Sequence, residues 1–263
     1  MQSGVGFSNR TLTNVGWSVL VLVAVGGFCL LAVPQVGWAA KPDKAPAQDM
    51  VDSGTFGVFI NGHRIATETF SIHQSGAGSS VTSEFKAEAG TDRAVQTSEW
   101  QMAANGDLRK YEWKEASPGQ AQAVVVPSQE FLIEKSRNTP QEKEHEQPFM
   151  LPVSSSILDD YFFVQREILA WKFLASSCKQ QDGLQCPLKQ WVQFGALNPH
   201  ARASLPVSVQ FAGREKVTIR GGERELNRLD LKSDSGEWAL WLDDQFKLQR
   251  ILVPGENTEV LRD

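Results

Sequence analysis

Asn61-Gly62 stands between two runs of alternating apolar residues, and this arrangement constrains the fold more than any other feature of the chain. In GTFGVFI, Phe56, Val58 and Ile60 alternate. Beyond the turn, HRIATETFSI ends in Phe70 and Ile72. A two-residue type I′ turn needs positive φ at both central positions, and Asn and Gly tolerate it, so the segment predicts a tight antiparallel hairpin. Similar signals follow. VTSEFKAEA and AVQTSEWQMAA lead to a second Asn105-Gly106 turn, then LRKYEWKE, AQAVVVP and QEFLIEK. After the middle of the chain come KQWVQFGAL, LPVSVQFAG, EKVTIRGG, ELNRLDLKS, GEWALWLDD and KLQRILVP. Turn signals at such short spacing predict a sheet built mostly from antiparallel hairpins.

One helix interrupts the strands. Ser156 precedes Ile157, with Asp159 three residues on, a start resembling a capping box. Ile157, Tyr161, Val164, Ile168, Trp171 and Ala175 fall on one helical stripe, which Leu158, Phe162, Leu169 and Phe173 widen. The spacing predicts a helix over 156–177 whose broad apolar face is buried against the sheet. Residues 136–149, SRNTPQEKEHEQPF, read as a solvated loop between two halves of the sheet.

The N-terminus is of another kind. Residues 15–33 are apolar or small apart from Ser18; Arg10 precedes them and Pro34 ends them. Gly37 and Ala39 set small residues before a signal-peptidase cut at Ala39-Ala40. An uncleaved anchor is the alternative, since nineteen residues are near the minimum for a bilayer span. Residues 1–39 are therefore a signal peptide or membrane anchor, 40–52 a tether, and 53–263 an antiparallel β domain. Either reading exports the domain, to the periplasm or to the periplasmic face of the inner membrane.

Composition fits a folded domain, with 41% hydrophobic and 22% charged residues. Setting Arg10 aside with the leader leaves 25 basic and 31 acidic groups, a balance that disfavours nucleic acid. Beyond the leader only Cys178 and Cys186 remain, close in sequence, which in an exported chain predicts a disulfide around Asp182-Gly183. No histidine has ligand spacing to them, so neither a metal site nor a cofactor is expected. No nucleophile elbow, phosphate loop, dinucleotide fingerprint or zincin motif occurs. Asp159-Asp160 suit helix capping and Asp243-Asp244 a turn; His63 reads as exposed, and His73 and His200 have no motif around them.

The hairpin GTFGVFINGHRIATETFSI, the segment SSSILDDYFFVQREILAW and the ending GEWALWLDDQFKLQRILVP together resemble an uncharacterised family of bacterial periplasmic envelope β-proteins. Its opening strand pair has the form G-x-F-x-V-x-x-x-G-x-x-x-G-x-E, from which this chain departs at Ala66. That family is similar in turn to the half-barrel fold of the lipoprotein-localisation factors. The resemblance implies a curved sheet with a helix on its concave side and carries over no site residues.

These readings converge on a non-enzymatic envelope protein that binds a hydrophobic or lipid-like ligand, lined by Phe162, Trp171, Trp238 and Trp241. The alternatives are a structural or interaction module, using sheet edges or loop 136–149, and a hydrolase whose site is assembled from distant strands. The volume between helix and sheet discriminates: an open interior favours the ligand, a solid one the interaction module.

Overall fold

The computed structural model describes residues 48–88, 93–180, 184–234 and 236–263. The expected signal or anchor segment, most of the expected tether and Asp182-Gly183 lie outside them. Eight strands come first: β1 (Asp49–Ile60), β2 (His63–Ser75), β3 (Gly78–Ala87), β4 (Val95–Ala103), β5 (Leu108–Ser117), β6 (Gln122–Ser128), β7 (Phe131–Arg137) and β8 (His145–Phe149). The short β9 (Ser156–Ile157) and helix α1 (Val164–Ser177) follow, then β10 (Lys179–Gln180) and β11 (Leu184–Gln185). The chain ends with β12 (Val192–Asn198), β13 (Ala203–Ile219), β14 (Gly222–Ser233), β15 (Gly236–Leu242), β16 (Leu248–Val253) and β17 (Thr258–Arg262).

Fifteen of these strands form one sheet in the order β8-β7-β6-β5-β4-β3-β2-β1-β17-β16-β15-β14-β13-β12-β9. The sheet is two runs of consecutive hairpins joined where the last strand pairs with the first, Val58 opposite Val260. The first turn has the expected geometry, with Asn61 at φ 51° and Gly62 at φ 77°. β10 and β11 form a separate ribbon closed by the Cys178–Cys186 disulfide, with Sγ–Sγ 2.11 Å.

The sheet curls. His200, in the turn between β12 and β13, stacks on Trp113 of β5 with ring centroids 3.8 Å apart. β5 and β13 are nine strand spacings apart in the sheet. At ~4.8 Å per strand, a flat sheet would separate them by ~43 Å. Arg202 of the same turn lies 3.7 Å from Glu134 of β7, and its carbonyl accepts a hydrogen bond from Gln147 of β8 at 3.4 Å. The two ends therefore meet side chain to side chain, although β8 and β9 do not pair.

What the sheet encloses is the segment from β9 through α1. The first seven residues of α1, Val164 to Ala170, are all buried, including Gln165, Arg166 and Glu167. A helix lying on one face of a flat sheet would leave such polar positions in water. Here the sheet surrounds it.

Several expectations need correction. The helix starts at Val164 rather than at 156, because Ser156 and Ile157 pair as a strand with Ala196 and Leu197 of β12. β1 begins at Asp49, inside the expected tether. The charged stretch 136–149 is a loop only in its middle; its last five residues are β8, on β7. LPVSVQFAG and EKVTIRGG are one strand, β13, bent at a bulge between Phe211 and Gly213, where Gly213 holds φ 122°. The bulge exchanges the faces: Phe211 points into the main core, and Val217 and Ile219 join a second cluster. That cluster also holds Leu226, Ala239 and Trp241. The hairpin tip is tied by Arg220 to Asp263 at the chain end.

Candidate functional site

The four residues expected to line a ligand do not meet. Phe162 is fully buried in the main core. Trp238 is half-buried on the inner face, with the Arg166 guanidinium 4.6 Å from its ring centroid. Trp241, its near neighbour on β15, points the other way, into the second cluster. There it sits beside Arg228 and Arg250, and its indole N–H donates to Glu215 at 2.6 Å. Trp171 borders a groove of about 510 Å³ and Trp238 a smaller one of about 210 Å³, so the two do not share a space. Between helix and sheet, Phe162, Phe173, Leu169 and Tyr111 are at 1% exposure or less, so the contact expected to enclose a ligand is packed.

The inner wall carries a polar cluster that the sequence did not disclose. Asp159, fully buried, accepts from the Tyr111 hydroxyl at 2.8 Å and faces His200 Nδ1 at 2.7 Å through the same oxygen. Its other oxygen accepts from the Tyr161 backbone N–H at 3.1 Å. His200 Nε2 faces Gln96 Oε1 at 2.8 Å. A histidine beside a carboxylate is the geometry of a general base, and a dispersed hydrolase site would need one. Both ring nitrogens are engaged here, however, and the ring is covered by Trp113 on one side and Tyr161 nearby, at 4.7 Å. This arrangement ties the ends of the sheet together and leaves no nitrogen free to move a proton on a substrate.

Three buried acids surround this frame. Glu68 of β2 caps α1 from across the interior. It accepts from the Phe163 N–H at 2.7 Å, the Val164 N–H at 3.3 Å and the Ser83 hydroxyl at 2.6 Å. Burial pushes it up to about 7 against the pull of these donors. Glu134 is also pushed up to about 7, by burial and then by Asp159, with Arg202 opposing. Neither Glu134 oxygen has a hydrogen-bond partner. Glu167 of α1 is raised well above the carboxylate range by burial and by the adjacent Asp52. Neither of its oxygens has a hydrogen-bond partner, and the Arg262 guanidinium lies 3.8 Å away. Burial also pushes Asp52 upward, but its bonds to Arg262 at 2.7 Å and Lys247 at 2.9 Å leave it lowered.

Among several surface concavities, the one that Trp171 borders lies at the end of the domain where the described chain begins. A groove of about 510 Å³ runs between Val51, Gln74, the helix residues Trp171, Leu174 and Ala175, and the turn residue Phe246. Its lining is mostly apolar. The Trp171 indole N–H donates to the Phe246 carbonyl at 2.6 Å, which fixes the groove floor. The groove falls within the 300–1,000 Å³ range of small-molecule sites.

No family model matches this chain. No curated protein and no solved structure is significantly similar to it either. Among the described residues no cluster of three or more His, Cys, Asp or Glu is placed to hold a metal ion. Among them also, no helix is long and apolar enough to cross a membrane.

Proposed function

We propose that this is an exported envelope protein whose β domain is a binding module for an apolar or amphipathic chain, held in the groove at Trp171. The single observation that carries the reading is that groove: open, lined largely by apolar side chains and of ligand size. One feature supports it: the disulfide beside the groove suits an oxidising compartment. The packed interior moves the proposed ligand from the sheet's concavity to its end.

The packed interior also favours a second reading, a structural or interaction module. Its natural surface is edge strand β8. That edge carries Pro148, which has no N–H, and exposed Glu144 and Glu146 nearby, devices that oppose strand addition.

The test is saturable uptake of a fluorescent fatty acid by the full chain and by its Ala175→Glu variant. Ala175 is exposed, so the fold tolerates the change, while a carboxylate enters the groove. Uptake at least about tenfold weaker in the variant supports the reading. Equal uptake by both proteins removes it.

A further inference from the structure

We propose that the groove bordered by Trp191 is a second binding site, for one neutral pyranose ring of a glycan. The site is separate from the groove at Trp171 and does not depend on the reading above. It has about 210 Å³, and its lining includes Trp191, Gln210, Arg228, Asp230, Ala239 and Pro254. That volume falls below the 300–1,000 Å³ of most small-molecule sites, which suits a single ring of a longer chain.

The wall of the groove is Trp191. It is 46% exposed, more than any other tryptophan among the described residues. It packs into neither core cluster. Among the described residues its ring meets no other aromatic ring or cation, and its indole N–H donates to no protein group. A large apolar face with a free donor at its edge is thus offered to solvent, where it contributes nothing to the core.

The floor is polar and held in place. Val209 and Phe211 point into the main core, so strand alternation puts Gln210 on the opposite face of the sheet. Gln210 is paired with Asp230, and Asp230 with Ala239, so the three form a row across β13, β14 and β15. Trp191 immediately precedes Val192, the partner of Val209, which places it at the head of that row. Asp230 binds the flanking groups: one carboxylate oxygen accepts from Gln210 Nε2 at 2.9 Å, the other from Arg228 Nε at 2.7 Å. Gln210 Oε1 accepts no hydrogen bond among the described residues, and Arg228 Nη2 donates none. Ala239, whose side chain is a methyl group, leaves room above the row.

The chemistry of the lining selects the ligand. Arg228 and Asp230 cancel each other's charge, and Glu237 at the rim is paired with Lys232 at 3.1 Å. No net charge is left to attract an anion or a cation, and the ionic floor opposes a hydrocarbon chain. What remains is an aromatic face beside fixed, unused donors and acceptors. A pyranose matches it: C–H groups cover one face of the ring, and each hydroxyl on its rim both donates and accepts. The C–H face stacks on Trp191, and neighbouring hydroxyls meet Gln210 Oε1 and Arg228 Nη2.

The experiment applies the full chain to an array of neutral, sialylated and sulfated glycans. Neutral glycans should be bound, and Trp191→Ala should weaken that binding at least about tenfold. Gln210→Leu should weaken it at least about fivefold, because a sugar hydroxyl loses its partner. A second measurement uses the unaltered chain. Its Trp191 indole N–H signal in a nitrogen–proton correlation spectrum, assigned by its loss in Trp191→Phe, should shift saturably with the glycan bound most strongly on the array. An array without bound glycan, as expected if Trp191 is a contact for another protein, overturns the proposal. So do binding confined to charged glycans, equal binding by Trp191→Ala, and an indole signal that does not move.

Discussion

At the scale of single residues, Glu134 gives the sharpest consequence. Its ordinary value is 4.5, and burial raises it to about 7 in the folded chain. Between these values the native state holds a proton that the unfolded chain has released. Stability therefore falls as pH rises across that window, and the loss persists above it. Glu134→Gln keeps the shape and removes the titration. It should be more stable than the parent at pH 8, by up to about 3 kcal/mol, with the difference vanishing below pH 5. Urea denaturation of both proteins across pH checks this. His200→Ala should cost about 2–4 kcal/mol, since it removes one partner of buried Asp159, takes the His200 contact from Gln96 and uncovers Trp113. Neither residue was legible beforehand. His200 has no motif because its partners come from β4, β5 and the segment before α1, and only a curled sheet brings those together. Glu134 falls in QEFLIEK, where alternation assigns it to a face but does not say that the face is enclosed.

At the scale of elements, what was legible and what was not divide along local and non-local causes. Asn61-Gly62 fixed its hairpin because the turn acts through its own φ angles. The disulfide followed from two cysteines eight residues apart. The helix start was misplaced because Ser156 and Asp159 imitate a cap, while the actual cap, Glu68, comes from the second strand. That glutamate ends the opening-strand motif, so the motif contained a structural residue whose role was hidden until the helix stood above it. Glu68→Ala should cost about 1–3 kcal/mol and should raise amide exchange first at Phe163 and Val164. Reducing the disulfide should cost about 2–3 kcal/mol on the loop-entropy account, read as a lowered thermal midpoint. β17 escaped notice because TEVLR is short, and its partner, β1, lies at the other end of the domain. Trp241 was assigned to the ligand with Trp238, although neighbours of opposite parity on β15 cannot share a face.

At the scale of the whole domain, the strand pattern disclosed a hairpin-built sheet but not its closure. Closure comes from one turn, 199–202, whose side chains reach β5 and β7 and whose Arg202 carbonyl accepts from Gln147 of β8. It explains why the first half of the helix is buried all round and why acids accumulate inside, while a groove stays open at the end near Trp171. The most direct test is a distance. Spin labels at Glu146 on β8 and Ala201 in the closing turn, both exposed, report across the seam in a Cys29→Ala background. Twelve strand spacings separate β8 from β13 in the sheet, ~58 Å if the sheet were flat. The contacts of Arg202 with Glu134 and Gln147 predict a separation below about 25 Å, label arms included. A distribution centred near ~50 Å or beyond would mean that the sheet does not close, and would contradict the placement of both the polar tie and the groove.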